Sequence, residues 1–281
     1  MSEEEFCLIP VHKVKPLTDK INDSTYTEEK IKELRALCVK GREIQDLIMK
    51  SVSDDFYLNN LKTGNPLLFV ILQLCNNMCV QNEETQNHMF PLITPLFKTI
   101  EWDIKTATIA LSFVITCTQP GSPNRKYISM DLIEPFLKLP ATDEELEFRI
   151  VVLLPTIAND AMDYALKHEE ICFVLLERVH DALECQPEFF DVDTVIPHLL
   201  QLIAPDRLPV KQAKSKIVAI FATFVGCSEP ARRKALELKA VDAIMNTKKI
   251  DRDDPILLEW SQLSLRYLTG DIDDITPEGK Q

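Results

Sequence analysis

One spacing limits what this chain can become. Residues 66–100, PLLFVILQLCNNMCVQNEETQNHMFPLITPLFKTI, read as a long apolar helix, a polar turn, a short helix and a second apolar helix near a proline. A pattern like it recurs about every 40 residues, the length of one helical repeat unit. From Leu67 to Val80 the first helix is apolar nearly all round, which requires neighbours on several sides. The next copy starts near Asp103, with ATIALSFVIT as its inner helix, GSPNRK as the break and DLIEPFLKL as the closing helix. Pro95-Leu96-Phe97 in one copy answers to Pro135-Phe136-Leu137 in the next.

A third copy runs from near Asp143, with LEFRIVVLLPTIA as inner helix and 171–179 as closing helix. Pro155 is expected to kink that inner helix, because it lacks the N–H and its ring crowds the preceding turn. Residues 195–203 read as an extra helix, and KIVAIFATFV followed by EPARRKALEL forms a fourth copy. The last element is DPILLEWSQLSLRYLTGD, with Pro255 in its first turn and Gly270 just past its end. Before the repeats, 1–24 shows no clear period and is expected to be a loose lead-in. Thr25 and Glu28 have capping-box spacing, and Gly41 should interrupt the helix that follows. The expected architecture is all-α, an α-solenoid forming one domain over 25–270, with 271–281 as a disordered acidic tail.

Composition agrees. Only 6 glycines argue against a β-rich chain, and most of the 17 prolines sit where helices start or stop. A net charge of −13 disfavours nucleic acid and anionic membrane surfaces, since both are held by lysine and arginine. The start MSEEEF is no signal peptide, and no long uncharged apolar run is present to span a membrane. The 8 cysteines lie mostly in apolar helices without paired spacings, so they are expected to be reduced and buried. That places the protein in the cytoplasm, or in cytoplasm and nucleus together.

Catalytic equipment is missing. No Gly-rich phosphate loop and no GxSxG elbow occur. Cys75 and Cys79 lie one helical turn apart, but a zinc site needs two more ligands and only His88 is near in sequence. His168-Glu169-Glu170 lacks the second histidine of a zincin helix. Asp191 with Asp193, and Asp251 with Asp253 and Asp254, suit helix N-termini better than a calcium loop. No catalytic, metal or cofactor residue is assigned. Ser122-Pro123 sits beside Arg125 and Lys126, where a phosphate would meet two cations.

Charge is uneven. Residues 206–252 carry eleven Lys or Arg against five Asp or Glu, whereas 141–204 carry fourteen acids against three bases. Arg232, Arg233, Lys234, Lys248 and Lys249 are the most basic cluster. Solvated helix faces explain most such clusters, and the sharper alternative is an acidic partner, the acidic tail, or head-to-tail self-association.

Two pieces resemble armadillo-repeat proteins. LCNNMCVQNEETQNHMFPLI matches the repeat pattern at Asn77, Asn82, Gln86 and Asn87. DPILLEWSQLSLRYLTGD resembles the last helix of the ataxin-10 family at Asp254, Pro255, Glu259, Trp260, Leu265, Arg266 and Leu268. The armadillo resemblance implies asparagines that clamp an extended peptide, one per inner helix. Here Val114 and Tyr267 stand at the positions answering to Asn77, so one rung is present and not a ladder. The resemblance therefore implies a non-catalytic scaffold or adaptor for a folded protein partner, with Asn77 as the one matching rung; the charge map puts the expected contact around Arg232, Arg233, Lys234 and Lys249. A co-chaperone or nucleotide-exchange regulator would leave the same signature, because the chemistry would sit in its partner.

Overall fold

The computed structural model describes residues 11–23, 25–140, 143–204, 211–250 and 253–270. Among them every regular element is helical and no strand occurs. No described helix is long and apolar enough to cross a membrane. The expected tail 271–281 and residues 1–10 of the expected lead-in lie outside the described residues. Contacts group the chain into two compact units, Met1–Ile150 and Val151–Gln281.

The first unit opens on a helix, α1 (Val11–Asn22), within the stretch read as a loose lead-in. Val14, Leu17 and Ile21 are buried at helical spacing, while Lys13, Lys15, Lys20 and Pro16 hide that short period in the sequence. Then follow α2 (Glu28–Cys38), α3 (Arg42–Ser51), α4 (Asp54–Asn60), α5 (Leu68–Cys79), α6 (Glu83–Ile93), α7 (Ile104–Cys117) and α8 (Met130–Leu137). The N-cap of α2 is Thr27, and Thr25 turns its hydroxyl to the Lys20 carbonyl, so the expected capping box does not form. Gly41 does separate α2 from α3, at φ +123°, a conformation costly for any residue with a Cβ.

Helix α5 packs against α2 on one side and α7 on the other, with α3 and α6 laid across it. Leu68, Val70, Ile71, Leu72, Leu74 and Met78 are all buried, as its all-round apolarity required. Each such side chain contributes roughly 1.5–3 kcal/mol relative to exposure. The two proline-bearing segments paired in the sequence touch: Phe97 and Phe136 pack edge to face at 5.9 Å, and Trp102 lies 5.2 and 5.0 Å from them. Polar bonds between neighbouring inner helices keep the same sequence separation. Arg35 reaches Gln73 across 38 residues, Thr116 donates to Asn76 across 40 (2.8 Å), and Arg149 to Ser112 across 37 (2.6 Å).

The boundary between units falls inside α9 (Glu144–Leu153), which Pro155 ends by forcing a 3-10 turn at Leu154–Ile157. The second unit continues with α10 (Ala158–Lys167), α11 (Cys172–Cys185), α12 (Val192–Ile203), α13 (Lys211–Cys227), α14 (Glu229–Glu237), α15 (Ala240–Ile250) and α16 (Pro255–Thr269). Helix α13 is the central one, flanked by α11 and α16. Ile217, Val218, Ile220, Phe221, Phe224 and Val225 are all buried. The 171–179 stretch, read as a closing helix, is the first half of α11 and stacks on α13 as an inner helix would. Asp191 and Asp254 cap α12 and α16 with their carboxylates, as helix N-terminal acids should. Polar bonds again join residues about one repeat apart, 35 for Gln186 to Val151 and 44 for Thr247 to Ile203.

Gly226 allows α13 and α16 to approach closely. A Cβ there would lie 2.8 and 2.9 Å from the ring of Tyr267. Gly226→Ala should gain about 1 kcal/mol of helix propensity when Tyr267 is also alanine. With Tyr267 intact the ring must move and that gain should vanish. A chemical-denaturation double-mutant cycle giving additive effects would contradict this packing.

Candidate interaction surface

The basic cluster of α14 and α15 is largely committed within the protein. The guanidinium of Arg232 donates to the carbonyls of Val225 (3.1 Å) and Gly226 (3.3 Å), in the last turn of α13. Arg233 is exposed and paired with Glu229 one turn back, whose carboxyl it holds below the usual carboxylate range. Lys234 bonds Asp193 at 2.7 Å, and that carboxylate raises the lysine above its ordinary value. Lys249 is exposed on α15 and also has an interaction of its own.

Arg232 belongs to a recurring device. Gln86 Nε2 donates to the carbonyl of Cys79 at the end of α5 (2.7 Å), seven residues back. Asn124 Nδ2 donates to the carbonyl of Cys117 at the end of α7 (3.4 Å), also seven residues back. Arg232 and Val225 have the same separation of seven. Each side chain satisfies a carbonyl that an ending helix leaves without an intrahelical partner. Asn124 further donates to Gln86 O and Asn87 Oδ1, which ties consecutive caps together. Asn82 caps α6 and donates to Asp46 (2.7 Å), so three of the four armadillo-like positions are structural.

The fourth, Asn77, faces a different setting. It borders a concavity of about 340 Å³ with Val39, Gly41, Arg42, Val80 and Gln81. A second concavity of about 630 Å³ shares Val80 and Gln81 and continues past Gln86, Thr116 and Ser122. Both lie where α2, α5 and α7 end. Val39 is 78% exposed and Val80 44% exposed, on an edge whose carbonyls are already capped by Gln45, Gln86, Ser122 and Asn124. Of the residues answering to Asn77, Val114 is fully buried and Tyr267 packs on Gly226.

The cysteines split by position. Cys38, Cys75, Cys79, Cys117 and Cys172 are buried free thiols, whereas Cys185 and Cys227, the last residues of α11 and α13, are exposed. Burial pushes Cys38 up to about 12 and Cys75 and Cys79 well above the ordinary thiol value, which keeps them protonated. His88 bonds Asp54 (2.8 Å).

Sequence reasoning passed over a charged cluster on α11 and α13. Glu177, His180 and Asp181 bring their ligand atoms within 4.8 Å of one another, the one such group among the described residues. Lys216 pairs with Glu177, and its ammonium lies 3.4 Å from His180 Nδ1. A cation is therefore already supplied by the chain. His180 Nε2 meets Thr223 Oγ1 at 2.7 Å, and Trp260 packs edge-on to the imidazole at 6.0 Å. Burial, then Lys216, pushes His180 below the usual histidine value, against the pull of Glu184, Glu177 and Asp181. Burial, then Glu177, raises Asp181. The spacing of Glu177, His180 and Asp181 puts all three on one face of α11 and was a signal the sequence carried, whereas Lys216, 36 residues from His180, could not be read locally.

Two outcomes follow from this geometry. Arg232→Ala should cost about 1–2 kcal/mol in chemical denaturation, by orphaning two helix-end carbonyls, whereas Arg233→Ala should leave stability unchanged. His180, depressed in the folded state, takes up a proton more readily when unfolded. Its contribution is complete above the unfolded histidine value near 6.5 and is lost as pH falls below it. Melting temperatures from pH 8 to 5 should therefore fall more for the wild type than for His180→Gln.

No family model matches the chain. No curated protein matches it either. Among solved structures, a crystal structure of an engineered protein is similar over 92% of this chain and 96% of its own, at 12% identity and a TM-score of 0.43. A likeness at that level carries no argument.

Proposed function

We infer that the chain is an α-solenoid of armadillo-like or HEAT-like repeats, acting as a non-catalytic scaffold or adaptor for a folded protein partner. The observation that carries this reading is the constancy of the cross-helix bonds. Within the first unit Gln73, Asn76 and Ser112 each bond a residue 37–40 positions away on the adjacent inner helix, one repeat length in each case. The seven-residue cap on α5, α7 and α13 supports it further, because the same turn solution recurs. The α16 motif fits the ataxin-10 resemblance, with Asp254 as cap, Pro255 in the first turn and Gly270 left-handed at φ +82°.

Of the anticipated contact residues, Asn77 has the better surroundings. Exposed Val39 and Val80 flank two adjoining concavities there, a combination of apolar anchors and polar rim typical of protein recognition. Arg232, Arg233 and Lys234 are engaged internally and would have to break bonds to meet a partner. A partner identified by crosslinking and then purified should bind the wild type in calorimetry and lose at least tenfold affinity to Val39→Asp/Val80→Asp. Each such aspartate would put an unpaired carboxylate in the interface. Unchanged affinity in that variant would remove this edge as the docking surface. The absence of any crosslinked partner at physiological salt would remove the scaffold reading itself.

A further inference from the structure

The turn between α7 and α8 carries a feature the scaffold reading does not use. Ser122 precedes Pro123, and Arg125 stands three positions after it. The Ser/Thr-Pro pairs of the chain are Thr94-Pro95, Ser122-Pro123 and Thr276-Pro277, whose third following residues are Phe97, Arg125 and Gly279. Ser122 alone has a cation there. Its backbone is already extended, φ −68° and ψ 135°, as a kinase cleft requires of an acceptor. Gln119, Pro120, Gly121, Pro123, Lys126 and Tyr127 around it are exposed. The side chain borders the 630 Å³ concavity, which leaves space for a tetrahedral group.

We propose that Ser122 is a phosphorylation site for a proline-directed protein kinase that reads a basic residue three positions beyond the acceptor, and that phosphate there releases the cap on α7. The kinase would transfer the γ-phosphoryl group of ATP to Ser122 Oγ. The bond from that phosphorus to the bridging oxygen breaks, ADP leaves, and the hydroxyl proton passes to the kinase's catalytic carboxylate.

The structural consequence follows from hydrogen-bond roles. Ser122 Oγ donates to the carbonyl of Cys117 at 2.7 Å and accepts from the backbone N–H of Asn124 at 3.2 Å. As a phosphate ester that oxygen has no proton to give, so the bond to Cys117 is lost. The new charge would stand at the C-terminal end of α7, the negative end of the helix dipole, in a concavity also lined by Glu83. Arg125 and Lys126, in the same turn as Ser122, offer compensating cations. With its bond to Cys117 gone and its new charge facing the negative end of α7, the turn is expected to move off that helix. Asn124 moves with it and withdraws its amide from Gln86, Asn87 and Cys117 together.

The inference stands apart from the scaffold reading and is tested without a partner. Purified full-length chain is incubated with MgATP and a recombinant proline-directed kinase that prefers a basic residue at that third position. Intact mass and fragmentation should show one phosphate on Ser122, retained in a Thr94→Ala/Thr276→Ala variant and slowed by Arg125→Ala. The phosphorylated protein should melt several degrees lower than Ser122→Ala, which loses the same hydrogen bond without adding charge. Its amides over 117–127 should exchange faster. No incorporation at Ser122, or phosphate on Thr94 or Thr276 in its place, would overturn the site. A phosphorylated protein with the melting point and exchange of Ser122→Ala would overturn the release of the cap.

Discussion

A helix that ends inside a packed layer must find partners for its last carbonyls, since little water reaches them. In this chain that requirement governs where the turns after α5, α7 and α13 go. Each of those helices is apolar on almost every side, so none can finish by fraying into solvent. The chain reverses and sends back a polar side chain from seven residues on: Gln86, Asn124 or Arg232. Two chemistries, a carboxamide and a guanidinium, do one task. What they share is a donor on a stem long enough to reach across the turn.

That sharing explains what could and could not be read from the sequence. Burial of α5, α7 and α13 was legible because apolar residues repeat at helical spacing with no polar side to turn outward. Pro255 marked a helix start, and Pro155, read as a kink, in fact ends α9 in a 3-10 turn. The role of Arg232 was not legible. A cluster of arginines and lysines looks like surface whether or not one member bends inward, and only the path of the backbone makes that choice. The armadillo-like polar positions were misleading in the same manner. Asn82, Gln86 and Asn87 matched a repeat pattern whose polar positions suggest a binding surface, yet all three bond within the fold. Helix α1 was missed because its three buried apolar residues are interleaved with three exposed lysines and a proline.

The cluster around His180 belongs to a further category. Its acids and imidazole share one face of α11 at helical spacing, but Lys216 and Thr223 from α13 and Trp260 from α16 join them only through the fold. Glu177, Asp181 and Glu184 would repel one another along α11, and Lys216 from the next inner helix answers part of that charge. The imidazole, held neutral by burial, spaces the two signs instead of adding to either. A lysine at that position thus does for the second unit what Arg149 and Ser112 do for the first: it fixes one inner helix against the next.

The short distance between bonded residues bears on how such a chain would assemble itself. The side-chain bonds that join separate α-helices here span between 6 and 44 positions. The loops closed in forming them are correspondingly small, and the entropy lost in closing a loop grows only slowly with its length. Many helices pack on others close to them in the chain, as α5 does on α2, α3, α6 and α7. Acquisition of native structure can then proceed stepwise as the polypeptide leaves the ribosome, in the rapid regime that short-range topologies allow.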